Sequence, residues 1–232
     1  MKEDNRLSKL RESMIRNSAI TIVAYGDSWT YGSCADGWIE AGEAGNNAGL
    51  IHGSWAQQLQ RSLQKRNPNV QFYNRGMGGW ESTQGLERFD TIVSPLKPDY
   101  LILNFGINDW KNNGSLEDYK IAMETMIARS TDMGCQIVLW TAGPLSTSMG
   151  ESYGWNEPMI DTHYTHLYDD YLEKLRQLAT IHKLLLADAA YEAVELWKAG
   201  EDLSLWFGDA IHFKQSGHDL IFNCIQKELG LV

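Results

Sequence analysis

The chain has 232 residues, 43% hydrophobic and 22% charged, which is enough for one soluble α/β domain with a full core. Its formal charge of -10 excludes nucleic acid and anionic membrane surfaces as partners, because both require a basic face. Cys34, Cys135 and Cys224 are widely spaced with no CxxC pair, which excludes a disulfide framework.

The N-terminal residues Met1 to Arg6 lack the apolar stretch of a secretory signal. No apolar run approaches the ~20 residues of a membrane span. With the cysteine usage, this points to a reduced, cytoplasmic compartment. Leu7, Leu10 and Met14 recur at helical spacing, so a short amphipathic helix is expected over about 3–17.

Ile20, Thr21, Ile22 and Val23 then favour a strand, since branching at Cβ suits the pleated backbone. Gly26 ends it, and Ser28 stands just beyond. The stretch 29–53 has little periodicity and carries Gly32, Gly37, Gly42, Gly45, Gly49 and Gly53. Loops of that length in compact domains are functional or disordered, and this one, with Trp29, Tyr31 and Trp38, reads as a rim of a substrate site.

Ser54 caps a helix in which Trp55, Leu59 and Leu63 share a face. A second strand is expected over 70–74, followed by Arg75-Gly76-Met77-Gly78-Gly79, and a helix over about 82–93. The apolar run 100–105 reads as a strand buried on both faces, and Gly106-Ile107-Asn108-Asp109 follows it. A helix from Ser115 closes near Gly134, and a fourth strand covers 136–141. A second long loop, about 143–157, precedes a helix from Pro158 to about His182. A fifth strand (184–187) and helices over 189–199 and 216–229 complete the chain. Strands alternating with helices give a doubly wound parallel sheet covered on both faces.

In such a sheet Ser28, Gly76 and Asn108 each lie just past a strand's carboxyl end, where ligands bind. Ser28 offers a nucleophile, Gly76 a backbone amide that a ligand can approach closely, and Asn108 a neutral side-chain donor. Near the C-terminus, Asp209-Ala210-Ile211-His212 places a carboxylate three residues before an imidazole. Aspartate can accept the Nδ1 proton there and leave Nε2 for the serine proton.

Gly26-Asp27-Ser28, Asn74-Arg75-Gly76-Met77-Gly78-Gly79, Gly106-Ile107-Asn108-Asp109 and Asp209-Ala210-Ile211-His212 resemble, in order and across nearly the whole chain, the four blocks of the Ser-Gly-Asn-His (SGNH) hydrolase superfamily, the GDSL lipase/esterases. The resemblance implies a single domain over 1–232, a flavodoxin-like three-layer α/β/α sandwich with a five-stranded parallel sheet. It implies Ser28 as nucleophile, His212 as general base and Asp209 as its orienter. The oxyanion hole would be the Ser28 amide, the Gly76 amide and the Asn108 side chain. Phe213 departs from the proline or leucine common after the histidine and is expected to affect packing, not the triad. A Gly-x-Ser-x-Gly elbow is missing from the sequence, which argues against the ordinary α/β-hydrolase fold.

Other candidates receive plainer readings. Asp27 and Asp109 are expected to hold their loops by hydrogen bonds. His163-x-x-His166 has no third ligand in view and reads as a solvated helix surface, so no metal and no cofactor are expected. His182 and His218 read as surface or packing residues, and Gly76-Met77-Gly78-Gly79 lacks the spacing of a phosphate loop. Of nine tryptophans, Trp29, Trp38, Trp80, Trp110 and Trp155 fall on loops over the active edge and are assigned to substrate binding, since aromatic faces suit sugar rings and acyl chains.

The expectation is a serine esterase for short acyl esters of small molecules or carbohydrates, with an O-acetylated carbohydrate favoured. Lysophospholipid or thioester hydrolysis, acyl transfer on the same triad, and a non-catalytic carbohydrate-binding module stand as alternatives. Oligomeric state is not readable.

Overall fold

In the computed structural model, residues 5–42, 47–145, 164–209 and 211–232 are described. Helix α1 (Ser8–Arg16) leads into strand β1 (Ile20–Gly26). Two one-turn helices follow, α2 (Ser28–Tyr31) and α3 (Trp38–Ala41), then α4 (Trp55–Arg66) and β2 (Val70–Gly76). Next come α5 (Ser82–Ile92), β3 (Tyr100–Asn104), α6 (Ile107–Lys111), α7 (Leu116–Asp132) and β4 (Gln136–Trp140). The chain closes with α8 (Tyr168–Ile181), β5 (Leu185–Ala187), α9 (Ala189–Lys198) and α10 (Gln215–Glu228).

The five strands are all parallel, in the order β2-β1-β3-β4-β5, the flavodoxin-like doubly wound arrangement. Helices cover both faces, so β3 is buried at all five positions and β1 at all but Thr21. Their branched and aromatic side chains form the centre of the core. Among the described residues no helix is long and apolar enough to cross a membrane.

Register decides where chemistry can gather. Gly26 pairs with Gly76 on one side and with Asn104 on the other, so β1, β2 and β3 end level. The chain leaves all three at one rim, at the switch in strand order. Two glycines make this close convergence possible. A Cβ on Gly26 would lie 2.3 Å from both the Asn104 carbonyl oxygen and Thr30 Oγ1, and one on Gly76 would lie 2.1 Å from the Tyr31 nitrogen. Neither site has room for a side chain.

Two regions differ from the expectation. In its described residues the glycine-rich stretch 29–53 carries more local structure than a plain loop. It holds α2, α3 and a 3-10 turn (Ala48–Leu50) around a small core of Tyr31, Ala35, Ala41, Ala48 and Ile51. Helices of one turn are too short for periodicity to reveal. Of the helix expected from Pro158 to about His182, the described residues are helical over Tyr168–Ile181. Residues 146–163 lie outside the described residues, and 164–167 are not helical. Leu167 is extended there and its N–H donates to Asp170 Oδ2 at 2.9 Å, which satisfies a first-turn group and starts the helix late.

Candidate active site

Ser28 is the first residue of α2, directly after Asp27, whose extended backbone and side chain cap that turn: Asp27 Oδ1 accepts the Trp29 N–H at 2.9 Å. The other Asp27 carboxylate oxygen has no hydrogen-bond partner among the described residues. Burial pushes this carboxyl up to about 7, although the Trp29 N–H acts to lower it. Asp27 therefore anchors the turn and does not point into the site.

His212 arrives from the far end of the chain on the segment 207–213. Phe207 and Phe213 form an antiparallel bridge, and the Gly208 N–H donates to the His212 carbonyl at 2.9 Å. Asp209 folds this segment around itself. Its Oδ1 accepts the N–H groups of Ile211 and His212 at 2.9 and 2.7 Å, and its Oδ2 lies 2.7 Å from His212 Nδ1. Burial would raise the Asp209 carboxyl, but His212 and these backbone donors outweigh it and hold it well below the usual carboxylate range. With the carboxylate accepting Nδ1–H, Nε2 is left as an acceptor, and Ser28 Oγ lies 2.7 Å from it. Phe213 is fully buried, with its ring 5.0 Å from Trp29 and 4.8 Å from Phe207, so the residue that departs from the family pattern packs the segment in place.

Asn108 lies in α6. One of its Nδ2 hydrogens donates to the Trp80 carbonyl at 2.9 Å, which fixes the amide plane and aims the second N–H elsewhere. Next to it, buried Asp109 accepts Ser82 N–H at 3.1 Å and Ser82 Oγ–H at 2.5 Å, tying α6 to α5. Burial pushes the Asp109 carboxyl up to about 6 against those hydrogen bonds. Asp27 and Asp109 both hold their loops, as expected.

The Gly76 expectation needs correcting. The Gly76 N–H donates to the Asn74 side-chain oxygen at 2.9 Å, so it is engaged within the strand end. Instead, Gly78 and Gly79 face the cavity, in a turn where the Trp80 N–H approaches the Met77 carbonyl at 3.4 Å and Gly79 takes φ +80°. A Gly-Gly pair after a strand is a turn signal, so both could have been found beside Gly76. Ser28, Trp38, Gly78, Gly79, Asn108, Lys111 and His212 share a cavity of about 310 Å³.

The five tryptophans separate. Trp38 lines the cavity. Trp29 and Trp110 do not, being 1% and 2% exposed. Trp29 packs beneath His212 and Phe213, while Trp110 stacks on Tyr164 with centroids 4.6 Å apart. Trp80 is half-buried and borders the neighbouring groove, and Trp155 lies outside the described residues. Burying a large apolar surface is worth more than exposing it, which is why α2 and α6 turn their tryptophans inward.

Of the remaining histidines, His166 is not on a helix and sits 3.7 Å from Asp170, while His163 lies outside the described residues. His182 lies 3.8 Å from Glu124. His218 is a packing residue: it is fully buried, its Nε2 is 3.0 Å from the Ser33 carbonyl, and burial lowers it to about 4. Among the described residues one trio of possible metal donors gathers, Cys34 with Asp209 and His212, their atoms within 4.8 Å of one another. The donors engage each other: Cys34 S–H donates to Asp209 Oδ2 at 3.6 Å, and burial, with Asp209 beside it, pushes the thiol up to about 12.

The model of the GDSL-like lipase/acylhydrolase family matches residues 24–220. No curated protein matches the sequence. Among solved structures, an alpha/beta hydrolase from the metagenome of Lake Arreo, Spain, is similar at 23% identity with TM-score 0.70, over 92% of this chain and 97% of that one. Axe2, an acetylxylan esterase from Geobacillus stearothermophilus, is similar at 19% identity with TM-score 0.70, over 92% and 95%. A two-domain esterase active on acetylated mannans is similar at 19% identity with TM-score 0.71, over 97% of this chain and 52% of that one. At these identities the likeness shows the shared fold.

Proposed function

The chain belongs to the GDSL-like lipase/acylhydrolase family and is a carboxylic ester hydrolase, and on that premise we propose a serine esterase that removes short acyl groups, acetyl foremost, from carbohydrates. The observation that carries the catalytic part is the continuous line Ser28 Oγ to His212 Nε2 and His212 Nδ1 to Asp209 Oδ2, each 2.7 Å.

Ser28 attacks the ester carbonyl while Nε2 of His212 takes its proton, and Asp209 stabilises the imidazolium. His212 then protonates the leaving alcohol. Water, deprotonated by the same nitrogen, releases the acid from the acyl-enzyme. The second Asn108 side-chain N–H, the Ser28 N–H and an amide of the Gly78–Gly79 turn, in place of that of Gly76, stabilise the oxyanion.

The substrate class rests on three supports. A cavity of about 310 Å³ stands at the small end of ligand sites and suits an acetyl group better than a long chain. Trp38 offers a sugar ring an aromatic face there. Two of the similar structures are esterases of acetylated xylan and mannans.

The test is turnover of p-nitrophenyl acetate through decanoate, with acetylated xylo- and manno-oligosaccharides alongside. The expected result is an optimum at acetate and release of acetate from at least one oligosaccharide. An optimum at octanoate or longer would overturn the acetyl assignment in favour of a lipid substrate. Sugar binding without turnover, unchanged by Ser28→Ala, would favour the binding module.

A further inference from the structure

The roomiest cavity among those described is not the one holding Ser28. It is a groove of about 550 Å³ beside it, between β2 and α5, lined by Arg75, Arg88, Met77, Trp80, Ile92 and Leu96. One four-residue turn separates the two spaces. Met77 and Trp80 face the groove, and Gly78 and Gly79, between them in sequence, face the Ser28 cavity. The Trp80 carbonyl also holds the Asn108 amide at 2.9 Å. The two spaces therefore adjoin across residues 77–80.

The charge of the groove runs against that of the molecule. In a chain of net charge -10, two arginines line one groove, and neither forms an ion pair among the described residues; Arg75 stands on the ridge between this groove and a second one that Tyr73 lines. Arg75 is steadied by the Tyr73 ring, its Cζ 5.3 Å from the centroid, which leaves the planar fork of donors available. Such forks match carboxylates in paired hydrogen bonds. The overall negative charge repels densely charged polymers, while an isolated carboxylate on a ring meets a local positive field. Trp80 and Met77 add apolar lining to the groove, against which a sugar ring can stack.

We infer that the Arg75–Arg88 groove is a subsite for a carboxylate-bearing sugar, a uronic acid, next to the sugar whose ester meets Ser28. This deepens the esterase reading and rests on it.

The experiment compares acetylated xylo-oligosaccharide with and without a glucuronic acid branch, for wild type and the Arg75→Gln/Arg88→Gln double variant. The expected wild-type preference in kcat/KM for the acidic substrate is about ten- to a hundredfold, the range of charge-assisted hydrogen bonds. It is expected to lie in KM, to shrink with added NaCl and to collapse toward one in the double variant. No preference in wild type, or a preference that the double variant retains, overturns the inference. So does stronger preference for a phosphate-bearing acetylated sugar, which would assign the groove to phosphate.

Calorimetry with the deacetylated glucuronate-bearing oligosaccharide on the Ser28→Ala protein reads the groove without turnover. Heat lost on replacing both arginines supports the subsite, and absence of heat with both arginines present overturns it. If wild type hydrolyses neither substrate nor p-nitrophenyl acetate, the esterase reading has failed, and the calorimetry alone decides the groove.

Discussion

Asp27 and Asp209 both stand close to Ser28, one adjacent in sequence and the other brought there by the fold, and their carboxyls are driven in opposite directions. Asp27 is fully buried, receives one side-chain hydrogen bond and leaves one oxygen unpartnered among the described residues, so burial wins and its carboxyl rises to about 7. Asp209 is about half exposed and receives two backbone N–H groups and the imidazole, so a smaller burial cost is outweighed. What separates a structural carboxyl from one suited to orienting a base is its depth of burial together with the number of donors aimed at its charged form, not nearness to the serine. His212 and His218 repeat the contrast six residues apart. One has both ring nitrogens engaged in the Ser28–Asp209 line, and the other is sealed beneath it and kept neutral by burial.

The largest expected effect separates the two aspartates. Asp209→Asn should lower kcat by about 10⁴, because the amide no longer fixes the required imidazole tautomer. Asp27→Asn should change kcat by less than about tenfold, since a neutral amide replaces a carboxyl already half protonated near pH 7. Equal losses from the two substitutions, read in p-nitrophenyl acetate turnover, would erase the distinction.

Stability sharpens it further. Asp27 has a folded value of about 7 against 3.8, so its raised pKa contributes stability below pH 3.8 that is lost as pH rises through 7. Relative to wild type, Asp27→Asn should therefore gain stability between pH 4 and pH 8, by about 4 kcal/mol from the linkage relation. Urea midpoints at both pH values measure it. A difference that does not change with pH would contradict the buried, unpaired carboxyl.

A smaller effect is expected from Asn108→Ala, about 10²–10³ in kcat with little change in KM. Gly76→Ala is no clean probe of the same function, because a Cβ there meets the Tyr31 backbone. Stopped-flow acylation would show the Asn108 loss in the chemical step, and a loss confined to KM would remove it from oxyanion stabilisation.

The smallest effect belongs to His218, whose folded value of about 4 lies below its ordinary 6.5. That depressed value gives stability which is full above pH 6.5 and lost as pH falls toward 4, worth about 3 kcal/mol. His218→Gln should flatten the acid limb of the stability curve while its amide keeps a donor for the Ser33 carbonyl. An unchanged acid limb would mean that another group carries it.

The strands were legible because Ile20, Ile22, Val23 and the 100–104 run carry local β preference and burial together. The convergence of Ser28, Asn108 and His212 was legible because chemistry and fold topology agree there. Legibility ended where tertiary packing decides. Trp29 and Trp38 both sit in a glycine-rich stretch of similar composition, yet α2 turns one beneath His212 while the other lines the cavity. The choice between Gly76 and the Gly78–Gly79 pair depended on the Asn74 side chain reaching forward two residues to accept the Gly76 N–H, which no spacing rule reports. The Arg75–Arg88 groove was invisible for a simpler reason. Its two cations are thirteen positions apart on a strand end and a helix, and only the packing of α5 against the sheet makes them neighbours of one space.

The central claim, that Ser28 is a nucleophile activated by His212, is tested most directly by intact-mass analysis after treatment with a fluorophosphonate. The account predicts one adduct, located on Ser28, absent in Ser28→Ala and formed far more slowly in His212→Ala. A folded wild type that stays unlabelled, or an adduct on any other residue, would contradict it.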